Sequence, residues 1–579
     1  MKVTVDTSVQ ITMRDGVRLA ATTWRPHGSD PVPVLLARTP YGKDKADFLG
    51  NPKLPDVLAL VEAGYSVVVQ DVRGTGSSDG EFMPHAEDAS DGAETLRWLA
   101  SQPWCDGRVG TWGGSYMGIA QWQAAVDTPD ALLAMAPVMA SADPYRAPWY
   151  SPGGALSLET FLTWATRVCA LSLSRSEDET SLQAAAELAG EMDDTPALLS
   201  KMPVGDHPLL RKYSAWFSTV LEEPPGGSYW RQFDALARAD NITVPALNIG
   251  GWYDIFLSET IRSYLTMREH GGSEQARTGQ RLVIGPWSHP DGADLGRFPD
   301  RSFGVASSIK NFDMTGALVR FFDRWVRDQQ DGAADPPVEI FVMGIDEWRT
   351  EEAWPLVGTD YTDYHLSSSG GANSAAGDGL LSTSPSDRQG EDVYTYDPRL
   401  PVPTLGGTIL ATAPHAFPGP ADQAPVEVRE DVLCYTTPEL ESPIEVTGHV
   451  KLVLWVSSSA VDTDFCGKLV DVHPDGRAII LCEGITRARY RESLAEPKLM
   501  DPGELYELVI DLAATSNVFL PGHQIRLEVS SSNFPRYDRN TNTGGNHPFV
   551  AERDMVTAVN RVHHGPARPS RLILPVIVR

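Results

Sequence analysis

The chain has 579 residues, a length typical of two to four domains rather than one. Acidic residues outnumber basic residues by 77 to 48, so the formal charge is −29. A surface of that sign repels phosphate backbones and anionic lipid, which excludes nucleic acid as an expected partner. No run of about 18 apolar residues predicts a membrane span. The N-terminal segment lacks the apolar core of a secretory signal, so we expect a cytoplasmic protein.

The cysteines argue against two kinds of covalent stabilisation. They are scattered along the chain without a C-x-x-C pair, which disfavours both a disulfide framework and a structural zinc site. We therefore expect buried free thiols. The five residues are Cys105, Cys169, Cys434, Cys466 and Cys482.

The N-terminal region alternates between strands and helices. Alternating apolar residues on both sides of Asp15-Gly16 predict a β-hairpin. Short apolar runs bounded by turn residues predict buried strands at 32–37, 65–70 and 109–112. Helical patterns follow at 56–64, 91–102 and 116–127. This order predicts an α/β fold with a mostly parallel sheet that helices cover on both faces.

The alternation is interrupted and later replaced by strands alone. Residues 143–241 read mainly as helices, clearest at 179–192, before strand patterns return at 244–250 and 281–285. A helical insertion of this kind is the usual layout of a cap over an active site. A Gly/Ser-rich stretch, 367–392, predicts a long loop, and the remainder predicts an all-β sandwich or jelly roll.

Ser115 is the first candidate for chemistry. The stretch GTWGGSYMGIAQ, which begins at Gly110, places this serine between a predicted strand and a predicted helix. The nucleophile of an α/β-hydrolase occupies such a turn, at the N-terminus of a helix. The strict G-x-S-x-G motif is not met, because Met117 stands where the glycine belongs and Gly118 follows it. From this stretch alone, an ordinary glycine-rich loop is the favoured interpretation, because a serine in such a turn is common by chance.

A nucleophilic serine needs an acid and then a histidine later in the chain. Asp254 follows the strand pattern in LNIGGWYDIF, and His289 follows RLVIG in the segment GPWSHPDG. Each has a plain alternative, a helix-capping aspartate and a surface histidine in a turn. Their joint order and setting favour a triad in which His289 takes the proton of Ser115 and Asp254 orients the imidazole.

Two donors are expected for the oxyanion that forms during acyl transfer. One is the backbone N–H of Tyr116, directly after the serine. The other is the hydroxyl of Tyr41, in the loop RTPYGK that follows the third predicted strand. A tyrosine bonded to the backbone is the alternative interpretation of Tyr41.

Long stretches of the chain resemble the CocE/NonD hydrolases, which are related to the X-prolyl dipeptidyl peptidases of clan S15. They include TPYGK, QDVRGTGSSDGEF, CDGRVGTWGGSYMGIAQWQAA, GGWYDIF, GPWSH and SSSNFPRYDRNTNTGG. In this family the turn that carries the nucleophile, the nucleophile elbow, has the sequence G-x-S-Y-x-G, which Met117 and Gly118 fit. The resemblance implies an α/β-hydrolase core, a helical cap and a C-terminal jelly roll. The predicted boundaries are 1–142 with 242–345, 143–241 and 346–579.

The resemblance also implies an activity. It carries the triad to Ser115, Asp254 and His289 and the oxyanion donors to Tyr41 and Tyr116. It implies a serine carboxylesterase without cofactor or metal, which cleaves small-molecule esters of bulky or aromatic, benzoyl-like acids through an acyl-enzyme. A homodimer joined at a strand edge of the β domain is the oligomer it suggests.

An aromatic acyl pocket comes with this resemblance. The positions that match it are Trp149, Trp164, Phe256, Leu410 and Ala411. Ala411 departs from the family, whose esterase has a phenylalanine there, and a short insertion accompanies the change. We therefore expect the acyl pocket to be wider or differently shaped.

Two other functions stay open. The same triad would serve an X-prolyl dipeptidyl peptidase or an amide or β-lactam acylase; a peptidase would need an anionic subsite for the substrate's amino group. Acidic cap residues such as Asp178 and Asp193 are candidates for that subsite. The second alternative is a non-catalytic protein that binds its partner through the jelly roll.

Three further sets of polar residues are expected to be structural. The run DTDFCGKLVDVHPDG disfavours a metal site, because alternating residues of a strand point to opposite faces; its candidates are Asp462, Asp464, Asp471, His473 and Asp475. Asp71 and Arg73 are expected to fix their loop by an ion pair and hydrogen bonds. His563 and His564 are expected at the surface.

Overall fold

The structure is a computed structural model that describes residues 2–28, 30–45, 54–127, 130–289, 296–329, 336–410 and 417–578. No helix within these ranges is long and apolar enough to cross a membrane. All five cysteines are buried free thiols, as the sequence predicts.

An open sheet forms the centre of the first half of the chain. Its strands are β1 (Val3–Thr12), β2 (Arg18–Pro26), β3 (Val32–Thr39), β4 (Ser66–Asp71), β5 (Cys105–Gly114), β6 (Leu132–Val138), β7 (Leu247–Tyr253), β8 (Arg281–Ser288), β9 (Val338–Val342) and β10 (Glu347–Glu351). Their order is β1-β2-β4-β3-β5-β6-β7-β8-β9-β10. Neighbours from β4 to β9 are parallel, and β1, β2 and β10 pair antiparallel at the two edges.

Helices lie on both faces of this sheet and fill the insertion after β6. They are α1 (Val57–Glu62), α2 (Asp88–Ala100), α3 (Tyr116–Ala125), α4 (Leu158–Leu173), α5 (Glu179–Asp193), α6 (Thr195–Ser200), α7 (Pro208–Tyr213), α8 (Ala215–Glu222), α9 (Ser228–Arg231), α10 (Leu257–His270), α11 (Glu274–Thr278) and α12 (Met314–Trp325). Separate apolar cores fill the two faces, as a parallel sheet requires. The prediction of an α/β fold from strand and helix alternation is confirmed.

The insertion between β6 and β7 has its own aromatic core. Helices α4 to α8 enclose Trp149, Phe161, Trp216 and Phe217, all of which are buried. Phe161 stacks on Phe217 at 5.3 Å, and Trp149 meets Trp164 edge-on at 5.1 Å. The aromatic rings thus form the packed interior of this helical insertion, and Trp149 and Trp164 extend it toward Ser115 and His289.

The described part of the second half of the chain is built mainly from strands, and its one α-helix is the short α13 (Ala424–Glu427). The strands are β11 (Thr359–Ser367), β12 (Leu380–Ser382), β13 (Gly390–Tyr396), β14 (Leu433–Thr436), β15 (Ile444–Ser458), β16 (Asp464–Val472), β17 (Ala478–Arg487), β18 (Tyr506–Phe519), β19 (Gln524–Ser530), β20 (Ala558–His564) and β21 (Arg571–Ile577). They pair antiparallel except for one bridge between β12 and β14. The predicted all-β C-terminal region is confirmed.

Two predictions in this region are wrong. The expected long loop 367–392 contains β12 and the start of β13. His563 and His564 are not at the surface: His564 is 1% exposed, and its Nε2 lies 3.0 Å from the Ser368 hydroxyl. Both histidines lie on strand β20. This strand is paired with β13 on one side and β15 on the other, so the two histidines lie inside the sheet.

Candidate active site

Ser115 lies at a strained turn between β5 and α3. Its φ of 59° and ψ of −128° fall in a region that side chains rarely adopt. Its backbone N–H donates to the carbonyls of Val138 at 3.0 Å and Met139 at 3.2 Å, which ties the turn to the end of β6. These hydrogen bonds to the sheet stabilise the strained backbone of Ser115, so its side chain projects beyond the end of β5.

The glycines of this turn each have a steric reason. Gly113 has φ +129°, and a Cβ there would lie 2.7 Å from the Cβ of Met117. A Cβ on Gly118 would lie 2.3 Å from the Cβ of Ala140. The spacing that fails the general motif thus matches this backbone: the position after Tyr116 takes a methionine, and the glycine is needed one residue later.

Asp254 and His289 come from the ends of two neighbouring strands, β7 and β8. One Asp254 oxygen lies 2.7 Å from His289 Nδ1, and the other accepts the N–H of Phe256 at 2.7 Å. His289 Nε2 lies 3.0 Å from Ser115 Oγ. The Asp254 side chain is fully buried, whereas the His289 side chain is 14% exposed.

The donor inventory orients this chain of hydrogen bonds. An ionised Asp254 only accepts, so Nδ1 of His289 carries the proton and Nε2 accepts from the Ser115 hydroxyl. Ser115 Oγ also has a hydrogen bond with Tyr41, whose oxygen accepts the indole N–H of Trp164 at 3.1 Å. Burial raises the pKa of Tyr41, so its hydroxyl keeps its proton. Tyr41 therefore donates toward Ser115.

A cavity of about 330 Å³ opens beside Ser115 and His289. Its other described lining residues are Tyr41, His85, Tyr116, Ile119, Pro148, Trp149, Thr160, Trp164, Ile255, Phe256 and Leu410. None of these residues is an aspartate or a glutamate. The cavity is thus a mainly apolar and aromatic chamber with the hydroxyl and the imidazole at one place in its wall.

The structure brings nine of the ten sequence-predicted site residues to this catalytic group or its cavity. Trp164 stacks on Tyr116 at 6.1 Å, and Phe256 lies 5.3 Å from the His289 ring. Leu410 is held by its N–H, which donates to Glu159 at 3.1 Å. Ala411 lies outside the described residues.

Sequence reasoning missed His85. Its ring lies 5.0 Å from that of Tyr116 in a stacked arrangement, and its backbone N–H donates to the Tyr116 hydroxyl at 3.1 Å. The residue is 3% exposed and has a φ of 70°. Asp88 lies behind it, with 3.8 Å between the carboxylate and Nδ1. Nothing local in the sequence indicates this position, since the contact with Tyr116 joins residues 31 apart.

The other polar residues weighed in the sequence have structural partners. Arg73 forms ion pairs with Asp91 and Asp15, each at 2.7 Å, which agrees with the expected structural role. Asp71 accepts the N–H of Lys43, and burial raises its pKa to about 6.

The acidic strand residues are also engaged. Asp462 pairs with Arg489 at 2.7 Å, and Asp464 pairs with Arg487 at 3.0 Å. Asp178 and Asp193 are exposed and do not line the cavity.

This protein has a parallel sheet with helices on both faces. The ends of its strands carry a serine, a histidine and an aspartate joined by hydrogen bonds. Together these features define the protein's class, that of the serine hydrolases.

Comparison with known proteins gives the family. Residues 15–291 match the X-Pro dipeptidyl-peptidase (S15 family) model, and residues 331–573 match that of the X-Pro dipeptidyl-peptidase C-terminal non-catalytic domain. The chain is 48% identical to the cocaine esterase of Rhodococcus sp. (strain MB1 Bresler) over 99% of both chains. It therefore belongs to the S15 and CocE/NonD family of serine hydrolases, as the sequence motifs predict.

Solved structures agree on the architecture. An aminopeptidase from the marine sediment archaeon Thaumarchaeota archaeon superposes with a TM-score of 0.82 at 26% identity, covering 100% of this chain and 96% of that one. An α-amino acid ester hydrolase gives 0.80 at 26% identity, covering 99% and 96%. The two names differ in the bond that is cleaved, so the fold alone does not choose between ester and amide.

Proposed function

We propose that Ser115, His289 and Asp254 hydrolyse an ester through a covalent acyl-enzyme. His289 Nε2 removes the hydroxyl proton as Oγ attacks the ester carbonyl, and then returns that proton to the leaving alcohol. A water molecule, activated by the same nitrogen, cleaves the acyl-serine. Asp254 keeps the imidazole in the required tautomer and stabilises its charged form. The hydrogen-bonded contacts at 2.7 and 3.0 Å support this assignment.

The Tyr41 hydroxyl and the Tyr116 N–H are the proposed oxyanion donors. In the free enzyme the Tyr41 proton is directed to Ser115 Oγ. When the oxygen attacks, the negative charge moves to the former carbonyl oxygen, and the same proton can follow it by rotation about one bond. Each such donor contributes about 3 kcal/mol to the transition state.

The substrate class follows from the cavity. Its walls include Trp149, Trp164 and Phe256, and no described lining residue is a carboxylate. We propose esters whose acyl group is bulky or aromatic, with Leu410 as a further wall of the acyl pocket. The related Rhodococcus enzyme is named for cocaine. For this chain we propose esters of benzoyl-like acids in general rather than cocaine alone. The reason is that Ala411 stands where the family's esterase has a phenylalanine, a change that we expect to widen or reshape the acyl pocket.

A peptidase would need a place for a substrate amino group. A neighbouring cavity of about 560 Å³ is lined by Asp254, Glu483 and Asp511, and it shares Pro148 and Ile255 with the first cavity. Both additional carboxylates already have partners: Glu483 accepts from Thr408 at 3.0 Å, and Asp511 pairs with His449 at 2.7 Å. This arrangement favours the esterase over amide cleavage.

The decisive experiment compares kcat/KM for an aryl benzoate and for Gly-Pro p-nitroanilide on one purified sample. We expect the benzoate to be preferred by at least 100-fold. Preference for the anilide would replace the esterase with a dipeptidyl peptidase.

Fluorophosphonate labelling tests whether the protein is catalytic at all. We expect wild type to be labelled and Ser115→Ala to remain unlabelled, with Ser101→Ala, at the exposed end of α2, as a folded control. Failure to label folded wild type would support the binding-protein alternative.

Three proposals concern the whole chain. We propose the division into a core at 1–142 with 242–345, a cap at 143–241 and a jelly roll at 346–579. The change from helices to strands along the chain supports it. We also propose a cytoplasmic location and a homodimer. Size-exclusion chromatography with light scattering would test the dimer.

A further inference from the structure

Three metal-ligating side chains meet at one end of the C-terminal β structure, away from the triad. Asp471 is on β16, His473 follows that strand, and His523 directly precedes β19. The two strands pair antiparallel with Val472 opposite Gln524, so the histidines are the next pair beyond the ladder. Residues two apart on a strand share a face, which places Asp471 and His473 together. His523 is 50 residues further along the chain than His473, so the local run DTDFCGKLVDVHPDG does not reveal this pairing.

The donor atoms of these residues converge on one point. Asp471 Oδ1 lies 2.8 Å from His523 Nδ1, and Oδ2 lies 3.7 Å from His473 Nε2. One ligand atom from each of the three residues lies within 4.8 Å of the others. The imidazole rings are 4.5 Å apart at 41°. Tetrahedral Zn²⁺ separates its ligand atoms by roughly 3.4 Å, so small side-chain rotations would complete the set.

The surroundings hold the ligands and balance nearby charge. The backbone of His473 makes both hydrogen bonds of a tight turn, with Arg477 at 2.8 Å and Gly476 at 2.9 Å. The guanidinium groups near His473 are those of Arg477 and Arg301. Each has a carboxylate partner at 2.8 Å, Asp475 and Asp346 respectively. Neither cation is left to oppose a bound metal ion alone.

We propose that Asp471, His473 and His523 bind a divalent transition-metal ion, for which Zn²⁺ is the best match. Two imidazole nitrogens and one carboxylate oxygen are ordinary zinc ligands. Asp471 and His523 are buried, whereas the His473 side chain is 15% exposed, which leaves a solvent side for a fourth ligand such as water. The ion would join the turn after β16 to the turn before β19 and stabilise the folded chain when bound.

Metal titration of the full chain tests this site directly. After dialysis against a chelator, Zn²⁺ affinity is measured by competition with a chromophoric chelator, and Co²⁺ is added to read its ligand geometry from the visible spectrum. We expect one equivalent of Zn²⁺ at micromolar or tighter affinity, with tetrahedral Co²⁺ bands. His473→Asn and His523→Asn should each weaken binding at least 100-fold. The thermal midpoint of wild type, but not of the variants, should rise with Zn²⁺.

The control is His449→Asn, which removes a histidine that also pairs with a carboxylate, Asp511, at 2.7 Å. It should leave Zn²⁺ binding unchanged. Circular dichroism reports whether each variant is folded; if His523→Asn is not, the more exposed His473 carries the test. Absence of binding to wild type, or equal binding by folded His473→Asn, would show a hydrogen-bonded cluster only and overturn the proposal. Neither outcome depends on the proposed esterase activity.

Discussion

The indole N–H of Trp164 donates to the hydroxyl oxygen of Tyr41 across 3.1 Å. This bond joins the helical insertion to the loop after β3 and occupies a lone pair of the tyrosine oxygen. The hydroxyl proton of Tyr41 is thereby turned toward Ser115, with which it also has a hydrogen bond. One tryptophan thus forms a wall of the cavity and orients the hydroxyl of Tyr41, the proposed oxyanion donor.

Tyr41→Phe should lower kcat for an aryl ester by about 10²- to 10³-fold and leave KM nearly unchanged, because the donor acts on charge that develops only in the transition state. Steady-state kinetics on the purified variant measures this. Tyr394→Phe is the matched control, since it removes another buried hydroxyl, bonded to Ser531 at 2.8 Å and remote from the cavity. Wild-type kcat in Tyr41→Phe would exclude the hydroxyl as an oxyanion donor.

Asp254→Asn should reduce kcat by about 10⁴-fold, because an amide can present its NH₂ to His289 and select the wrong tautomer. The variant should still bind substrate, so the loss belongs to kcat rather than to KM. Asp178→Asn, an exposed helix cap, should retain full activity. If Asp254→Asn were as active as that control, another residue would have to orient the histidine.

Gly118→Ala tests why the elbow has its glycine three residues after the serine. The added Cβ would lie 2.3 Å from that of Ala140, so α3 must move away from β6. We expect a destabilisation of about 1–3 kcal/mol, together with a lower kcat as Ser115 is displaced. Gly190→Ala in α5 is the control, since nothing lies within 4 Å of its added Cβ. That substitution should stabilise the chain by up to about 1 kcal/mol. Equal behaviour of the two variants in urea unfolding would contradict the steric argument.

The sequence predicts the elements that depend on local order. Ser115, Asp254 and His289 each follow a strand that reads clearly from its apolar run, and the carboxyl ends of parallel strands meet at one edge. His85, Glu159 and His523 gain their roles from partners between 31 and 251 residues away. No local pattern carries that information.

The histidine pair at the end of β20 shows the same limit. His563 and His564 are polar and follow one another, which is typical of a surface. Their burial depends on β13 and β15, which pair with β20 from more than 100 residues earlier in the chain. Whether a polar residue in a sheet is exposed therefore depends on which strands lie beside its own. The residues next to it in the sequence do not give that information.

Glu159→Gln should change how stability depends on pH. Burial raises the pKa of Glu159 to about 7 from an ordinary value of 4.5, despite hydrogen bonds such as the one from Leu410. Between these two values the unfolded chain is ionised at this position while the folded chain is protonated, so unfolding releases a proton and stability falls as pH rises through the window. The full loss, reached above about pH 7, is about 3 kcal/mol.

Glutamine cannot ionise, so Glu159→Gln should lose that much less stability than wild type between pH 4.5 and pH 8. Urea unfolding of both proteins at several pH values measures the difference. Parallel pH profiles would show that Glu159 is already ionised in the folded chain and that its contact with Leu410 is that of a carboxylate.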